Sequence, residues 1–145
     1  MITEATKTAK RPKTSATEMQ LAVASAKSPT MVKGRRAFFT YRDLGVTAAS
    51  NGRFRAQVTA AQSGMSKPTG WHYHVCEGQF VYMLSGWIEL EFAGRPAMKL
   101  EAGDSIFIPG GLPHNEIRTS DAFELLEVSV PANMGTESCA PPAGF

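Results

Sequence analysis

Histidine is scarce in this chain: three occur in 145 residues, His72, His74 and His114. Cysteine is scarcer still, with only Cys76 and Cys139. These two lie far apart and form no CxxC, so neither a zinc knuckle nor a redox pair finds support. No stretch approaches the roughly 18 uninterrupted apolar residues of a membrane span, and no membrane partner is expected. Residues 1–30 contain no Phe, Tyr or Trp. A segment so rich in Ala, Thr, Ser and Lys buries too little apolar surface to offset chain entropy. It lacks the apolar stretch of a secretory signal, and its one arginine and two glutamates fit a transit peptide poorly. A cytoplasmic protein with a loosely structured start is the expectation.

The net charge of +2 conceals an uneven division. Residues 1–36 hold eight Lys/Arg against Glu4 and Glu18, a balance of +6, and the remaining seven basic and eleven acidic residues give −4. A basic arm can attract nucleic acid or anionic lipid. Here few aromatics interleave with the lysines and the body is mildly acidic, so no nucleic-acid partner is expected. Residues 1–34 are read as a flexible or strapping segment, with a short helix over Thr17–Ala26 behind a capping threonine. The overall composition, 43% hydrophobic and 19% charged, suits one soluble domain.

From about Arg35 onward the chain breaks into short strand-like runs: RRAFFTY, FRAQVTAA, GWHYHV, QFVYML, WIELEF, SIFIP, HNEIR and FELLEVSV. Turn-forming segments such as GVTAASNG, CEG, SG, EAGD and GGLP separate them. Strands at this spacing imply a closed or sandwiched all-β domain. In WIELEF, Ile88, Leu90 and Phe92 share one face and Glu89 and Glu91 the other, as a half-buried strand requires. In QFVYML an inward Gln79 carries Val81 and Met83 with it and leaves Phe80, Tyr82 and Leu84 outside. Such a row needs cover, from a partner subunit or from the N-terminal segment. Residues 131–145, with three prolines, read as an extended strap or disorder.

Residues two apart on a strand project to the same side, so His72 and His74 present two imidazoles on one face, about 6 to 7 Å apart. After His74 come four residues, then Gln79, then six more, then Gly86. Further on, Gly103 is followed by five residues, Pro109, one residue, Gly111, two residues and His114. This pattern resembles the two motifs of the cupin superfamily, G(X)5HXH(X)3–4E(X)6G and G(X)5PXG(X)2H(X)3N, across residues 64–118. All three histidines fall on ligand positions of those motifs. Gly86 supplies a tight turn at positive φ that other residues tolerate badly, and Pro109-Gly110-Gly111 breaks the ladder before His114. The resemblance implies an antiparallel double-sheet, jelly-roll-like cupin barrel over 35–130, with a metal inside its mouth.

The departures carry information. Gly64 precedes His72 by eight residues where the motif asks for six, and Gly70 by two. Gln79 replaces the motif glutamate. Its amide oxygen either coordinates, leaving the ion its full charge, or fixes a water or a substrate. Cys76 shares the parity of the histidines but sits at the Glu77-Gly78 turn, and reads as a buried thiol or pocket lining. Arg118 replaces the last Asn. It lies inward with Glu116, where it would bind an anion, or it pairs with Glu116 on the surface, which is the expectation.

By this resemblance His72, His74, Gln79 and His114 hold a divalent transition metal: Fe(II), Mn(II), Ni(II), Cu(II) or Zn(II). No catalytic residue is assigned, and Glu116 is the one candidate general base. The leading expectation is a metal-dependent dioxygenase acting on a small organic substrate, with the metal as Lewis acid and template. The alternatives are a cupin isomerase or decarboxylase on the same residues, or a non-catalytic module that binds metal and a small ligand, since one fold hosts many functions. Val81, Met83, Ile88, Leu90, Phe92, Ile106 and Ile108 are the expected pocket wall, and a homodimer is the expected assembly.

Overall fold

Eleven strands and one helical turn follow one another along the chain in the computed structural model, which describes residues 18–145. The strands are β1 (Thr30–Val32), β2 (Thr40–Asp43), β3 (Arg55–Ala61), β4 (His72–Val75), β5 (Gly78–Ser85), β6 (Trp87–Phe92), β7 (Met98–Glu101), β8 (Ser105–Pro109), β9 (His114–Thr119), β10 (Phe123–Val130) and β11 (Gly135–Ser138). They form two antiparallel sheets, in the orders β1-β2-β3-β10-β5-β8 and β11-β4-β9-β6-β7. This is the double-sheet all-β architecture that the alternation in the sequence implies.

The alternation is realised residue by residue. Ile88, Leu90 and Phe92 are buried while Trp87, Glu89 and Glu91 are less so. On β5, Gln79, Val81 and Met83 face inward and Phe80, Tyr82 and Leu84 outward. Met83 and Phe123 anchor the core between the sheets, which also holds Ile88, Leu90, Phe92, Ile108 and Leu125. Inward residues of both sheets meet there, the arrangement that a two-layer β structure uses to exclude water.

Several expectations need correcting. The helix anticipated over Thr17–Ala26 does not form along residues 18–26; Thr17 itself, with residues 1–16, lies outside the described residues. Residues 18–26 instead dock on the helical turn α1 (Val46–Ala49): Gln20 N donates to Ala49 O at 2.7 Å, and Asn51 Nδ2 donates to Glu18 O at 2.9 Å. Satisfied this way, the segment gains nothing from its weak helix propensity. RRAFFTY yields only its end as strand. Residues 35–39 loop, because β1 runs antiparallel to β2 (Val32 opposite Tyr41) and the chain must reverse between them. The C-terminal strap is a strand, β11, paired to β4.

Candidate metal centre

Pairing register builds the site. His72 on β4 stands directly opposite His114 on β9, and His74 follows on the same inward face. The three rings lie 4.4 to 5.2 Å apart between centroids, and one nitrogen of each falls within 4.8 Å of the others. All three side chains are buried. Phe92 stacks on His114 at 5.7 Å, which fixes the ring plane. Gln79 enters from the opposing sheet, where it lies on β5 between Ile108 and Ser129. The three imidazoles therefore come from one sheet and the amide from the other.

Hydrogen bonds decide which nitrogens are free. His72 Nδ1 lies 2.7 Å from Gly70 O, and His114 Nδ1 lies 2.9 Å from Leu112 O. A carbonyl only accepts, so both Nδ1 atoms carry the proton and both Nε2 atoms keep a lone pair. Gly70 sits at φ +85, a conformation that glycine adopts readily, and this aims its carbonyl at the ring. His74 is held differently. Its Nδ1 lies 3.0 Å from Thr136 Oγ1 on β11 and 3.1 Å from Arg35 Nη1, and Arg35 also donates to Thr136 Oγ1. The Thr136 hydroxyl can donate or accept and Arg35 only donates, so these two contacts place the His74 ring without fixing its tautomer.

Two acceptors are left over. His72 Nε2 and Gln79 Oε1 are both buried with no hydrogen-bond partner. His72 Nε2 lies 3.5 Å from Glu116 Oε2, so a lone pair faces a carboxylate oxygen across a buried gap. An orphaned buried acceptor costs about 1–3 kcal/mol, and a cation held by the three imidazoles would satisfy His72 Nε2. Three converging imidazoles suit a borderline divalent transition metal.

Charge within the cluster is tuned in one direction. Burial, then the nearby Arg35, His114 and His72, push His74 down to about 3. Burial likewise holds His114 below its ordinary value, although its Leu112 hydrogen bond and Glu116 oppose this. Neutral imidazoles are the metal-ligating form. Burial raises Glu116, but His72, the Thr69 hydroxyl, His114 and Arg35 together outweigh it and bring its carboxyl below the usual range. Thr69 Oγ1 lies 2.5 Å from Glu116 Oε2 and fixes that carboxylate's direction.

The cluster adjoins a cavity of about 350 Å³ between the sheets, whose wall includes Gln79, Glu116 and Arg35. Val81, Ile88, Leu90, Ile106 and Ile108 line it as expected. Met83 and Phe92 do not; they belong to the core. Cys76, at the turn after β4, is half-buried and not among the converging ligands.

Sequence reasoning missed two contributors. Arg35 was read as the start of the strand-like run RRAFFTY, yet the reversal after β1 brings it onto His74. Thr136 was hidden in the presumed tail. Arg118 is on the outside, as expected, but its partner is Glu89, at 2.6 Å, and not Glu116. The cause is a register shift: Glu89 pairs with Arg118 and Leu90 with Glu116, so Ile117 is an extra residue and the alternation changes sign. Glu116 thus points inward and Arg118 outward.

Residues 58–130 match the cupin domain family, just over half of the chain, and the protein belongs to that family. No curated protein matches its sequence. Among solved structures, the polyketide cyclase RemF from Streptomyces resistomycificus is similar at 21% identity and TM-score 0.65, over 86% of this chain and 89% of that one. KdgF from Halomonas sp. is similar at 15% identity and TM-score 0.62, over 77% and 96%. Salicylate 1,2-dioxygenase from Pseudoaminobacter salicylatoxidans is similar at 16% identity and TM-score 0.55, over 70% of this chain but 29% of its own. At these identities the likeness is one of fold.

Proposed function

We propose that this chain is a metal-dependent cupin enzyme that moves protons on a small carbonyl compound, in the manner of a cyclase, isomerase or lyase. His72, His74 and His114 hold a divalent transition metal, and Gln79 turns its amide oxygen to the same ion or to the substrate. One observation carries the reading: the unpartnered His72 Nε2 and the Glu116 carboxylate face each other 3.5 Å apart in a buried site. When bound, the metal supplies Lewis acidity at an oxygen of the substrate.

The chain's own residues supply the rest. Glu116 sits at the cavity wall with one oxygen held by Thr69, placed to accept a proton. Gly70 O and Leu112 O fix two imidazole tautomers, and Thr136 positions the third ring. The apolar wall of Val81, Ile88, Leu90, Ile106 and Ile108 excludes water from the reacting carbon. The full-length likeness to a polyketide cyclase supports this choice.

The dioxygenase is a second reading. It is favoured by the wholly neutral donor set of three imidazoles and one amide, which leaves an ion its full charge and open positions for a chelating substrate. Self-association belongs to the same proposal: Phe80, Tyr82, Leu84 and Phe107 are exposed on adjoining strands, and a second copy would cover them.

Elemental analysis of untagged protein, with His72→Ala and His114→Ala beside it, tests the centre. About one transition metal per chain, lost in both variants, is expected; a wild type that takes up none of the five ions in equilibrium dialysis refutes it. Deuterium wash-in beside the carbonyl of 4-phenylbutan-2-one tests the chemistry. Glu116→Gln is expected to retain metal and slow exchange by about 10² or more. Oxygen uptake on a panel of diketones and catechols, with no wash-in, selects the dioxygenase instead.

A further inference from the structure

The cavity wall contains four cations, Lys33, Arg35, Arg36 and Arg55, against two carboxylates, Glu116 and Glu127. Most of that charge is accounted for. Arg55 pairs with Glu127 at 2.9 Å. Arg35 is committed to Thr136 and His74, and Glu116 faces His72. Arg36 and Lys33 remain, and among the described residues neither has an ion-pair partner. Arg36 Nε is moreover buried without an acceptor.

We propose that Arg36, assisted by Lys33, is an anion subsite that binds the carboxylate of the substrate. The substrate is then a small organic acid with an apolar body, held by its carboxylate at Arg36 and presenting its reacting group to the histidine cluster. This deepens the reading above, on which it rests for what happens at the cluster.

Three features support it. The position of Arg36 is set by its own backbone, whose N–H donates to the buried Tyr41 hydroxyl at 3.2 Å. The approach is tight, since a Cβ on Gly34 would come within 2.3 Å of three Tyr41 ring atoms. A guanidinium fork on a fixed backbone matches a carboxylate in two-point geometry. Four cations against two carboxylates leave the hollow net positive, and apolar walls of low dielectric strengthen that field. The apolar lining suits a hydrocarbon or aromatic body, and a volume of about 350 Å³ is at the small end of ligand sites.

The test is calorimetric titration of the purified protein with 3-phenylpropanoate and with 3-phenylpropanamide, which differ in charge but hardly in shape. Wild type is expected to favour the acid by about ten- to a hundredfold, the range for a hydrogen bond to a charged group. Arg36→Met is expected to abolish the preference, and measurable amide binding by this variant also shows that the cavity is formed. Arg36→Lys is expected to restore part of the preference, and Lys33→Met to reduce it less. No preference in wild type, or a preference that survives in Arg36→Met, overturns the subsite; the latter result puts the carboxylate on the metal. Metal content is measured on the same samples. Its absence would sink the proposed centre while leaving the Arg36 comparison fully readable.

Discussion

Two glycines of the sequence pattern, Gly86 and Gly103, both adopt positive φ, +70 and +92, yet substitution at each should have different consequences. An alanine in the left-handed region costs roughly 1–2 kcal/mol in backbone strain wherever it stands. At Gly103 nothing lies within 4 Å of the added Cβ, so strain is the whole effect. At Gly86, in the turn between β5 and β6, the Cβ would meet Ala122 O and Ser120 Oγ at 2.4 Å and Phe123 Cβ at 2.7 Å. Ala122 O is main chain, Phe123 is a fully buried anchor of the core, and neither can yield. Overpacking of this kind adds about 1–3 kcal/mol. Gly103→Ala should therefore lose about 1–2 kcal/mol and Gly86→Ala about 2–5 kcal/mol. Urea unfolding of both variants at constant m-value reads the difference directly. Equal losses would refute the steric argument, and a neutral Gly86→Ala would refute the strain argument as well.

Three further outcomes follow from the site and the surface. His74 is depressed from an ordinary 6.5 to about 3, and His114 is depressed too, so the unfolded chain binds these protons more readily than the folded one. Their contribution to metal-free stability is complete above about pH 6.5 and is lost as pH falls toward 3; a melting temperature flat from pH 7 to 4 contradicts this. Arg118→Met should leave ligand affinity unchanged and barely alter stability, because its partnership with Glu89 is at the surface and screened by solvent. A loss of ligand binding would mean that Arg118 reaches the cavity. Leu84→Glu with Phe107→Glu should convert a homodimer to monomer in light scattering, and a wild type already monomeric at high concentration would remove the self-association proposal.

What could be read in the amino-acid string was set by local periodicity. Alternation in WIELEF and QFVYML gave strand, face and core together, because both are short-range patterns of a pleated chain. The three imidazoles were legible because their spacing is itself the signal. Three contacts were not, and each depends on pairing between distant residues. Thr136 meets His74 only because β11 adds to β4, and Arg35 arrives only through the reversal between β1 and β2. Glu116 and Arg118 looked equivalent by parity until the extra Ile117 separated them. The anticipated helix over Thr17–Ala26 failed for the complementary reason: docking of residues 18–26 on α1 outweighed a modest local preference.

The hydroxyl that orients His74 lies on β11, beyond the stretch that matches the family. During synthesis the two other imidazoles can meet as soon as β9 has emerged, but the third can be oriented only after translation has passed residue 136. Cleavage between β10 and β11 would leave the barrel core intact while loosening a ring deep inside it. A strand outside the family stretch is thus part of the site's inner fitting, and a preparation cleaved there should be judged by its ion content before its folding.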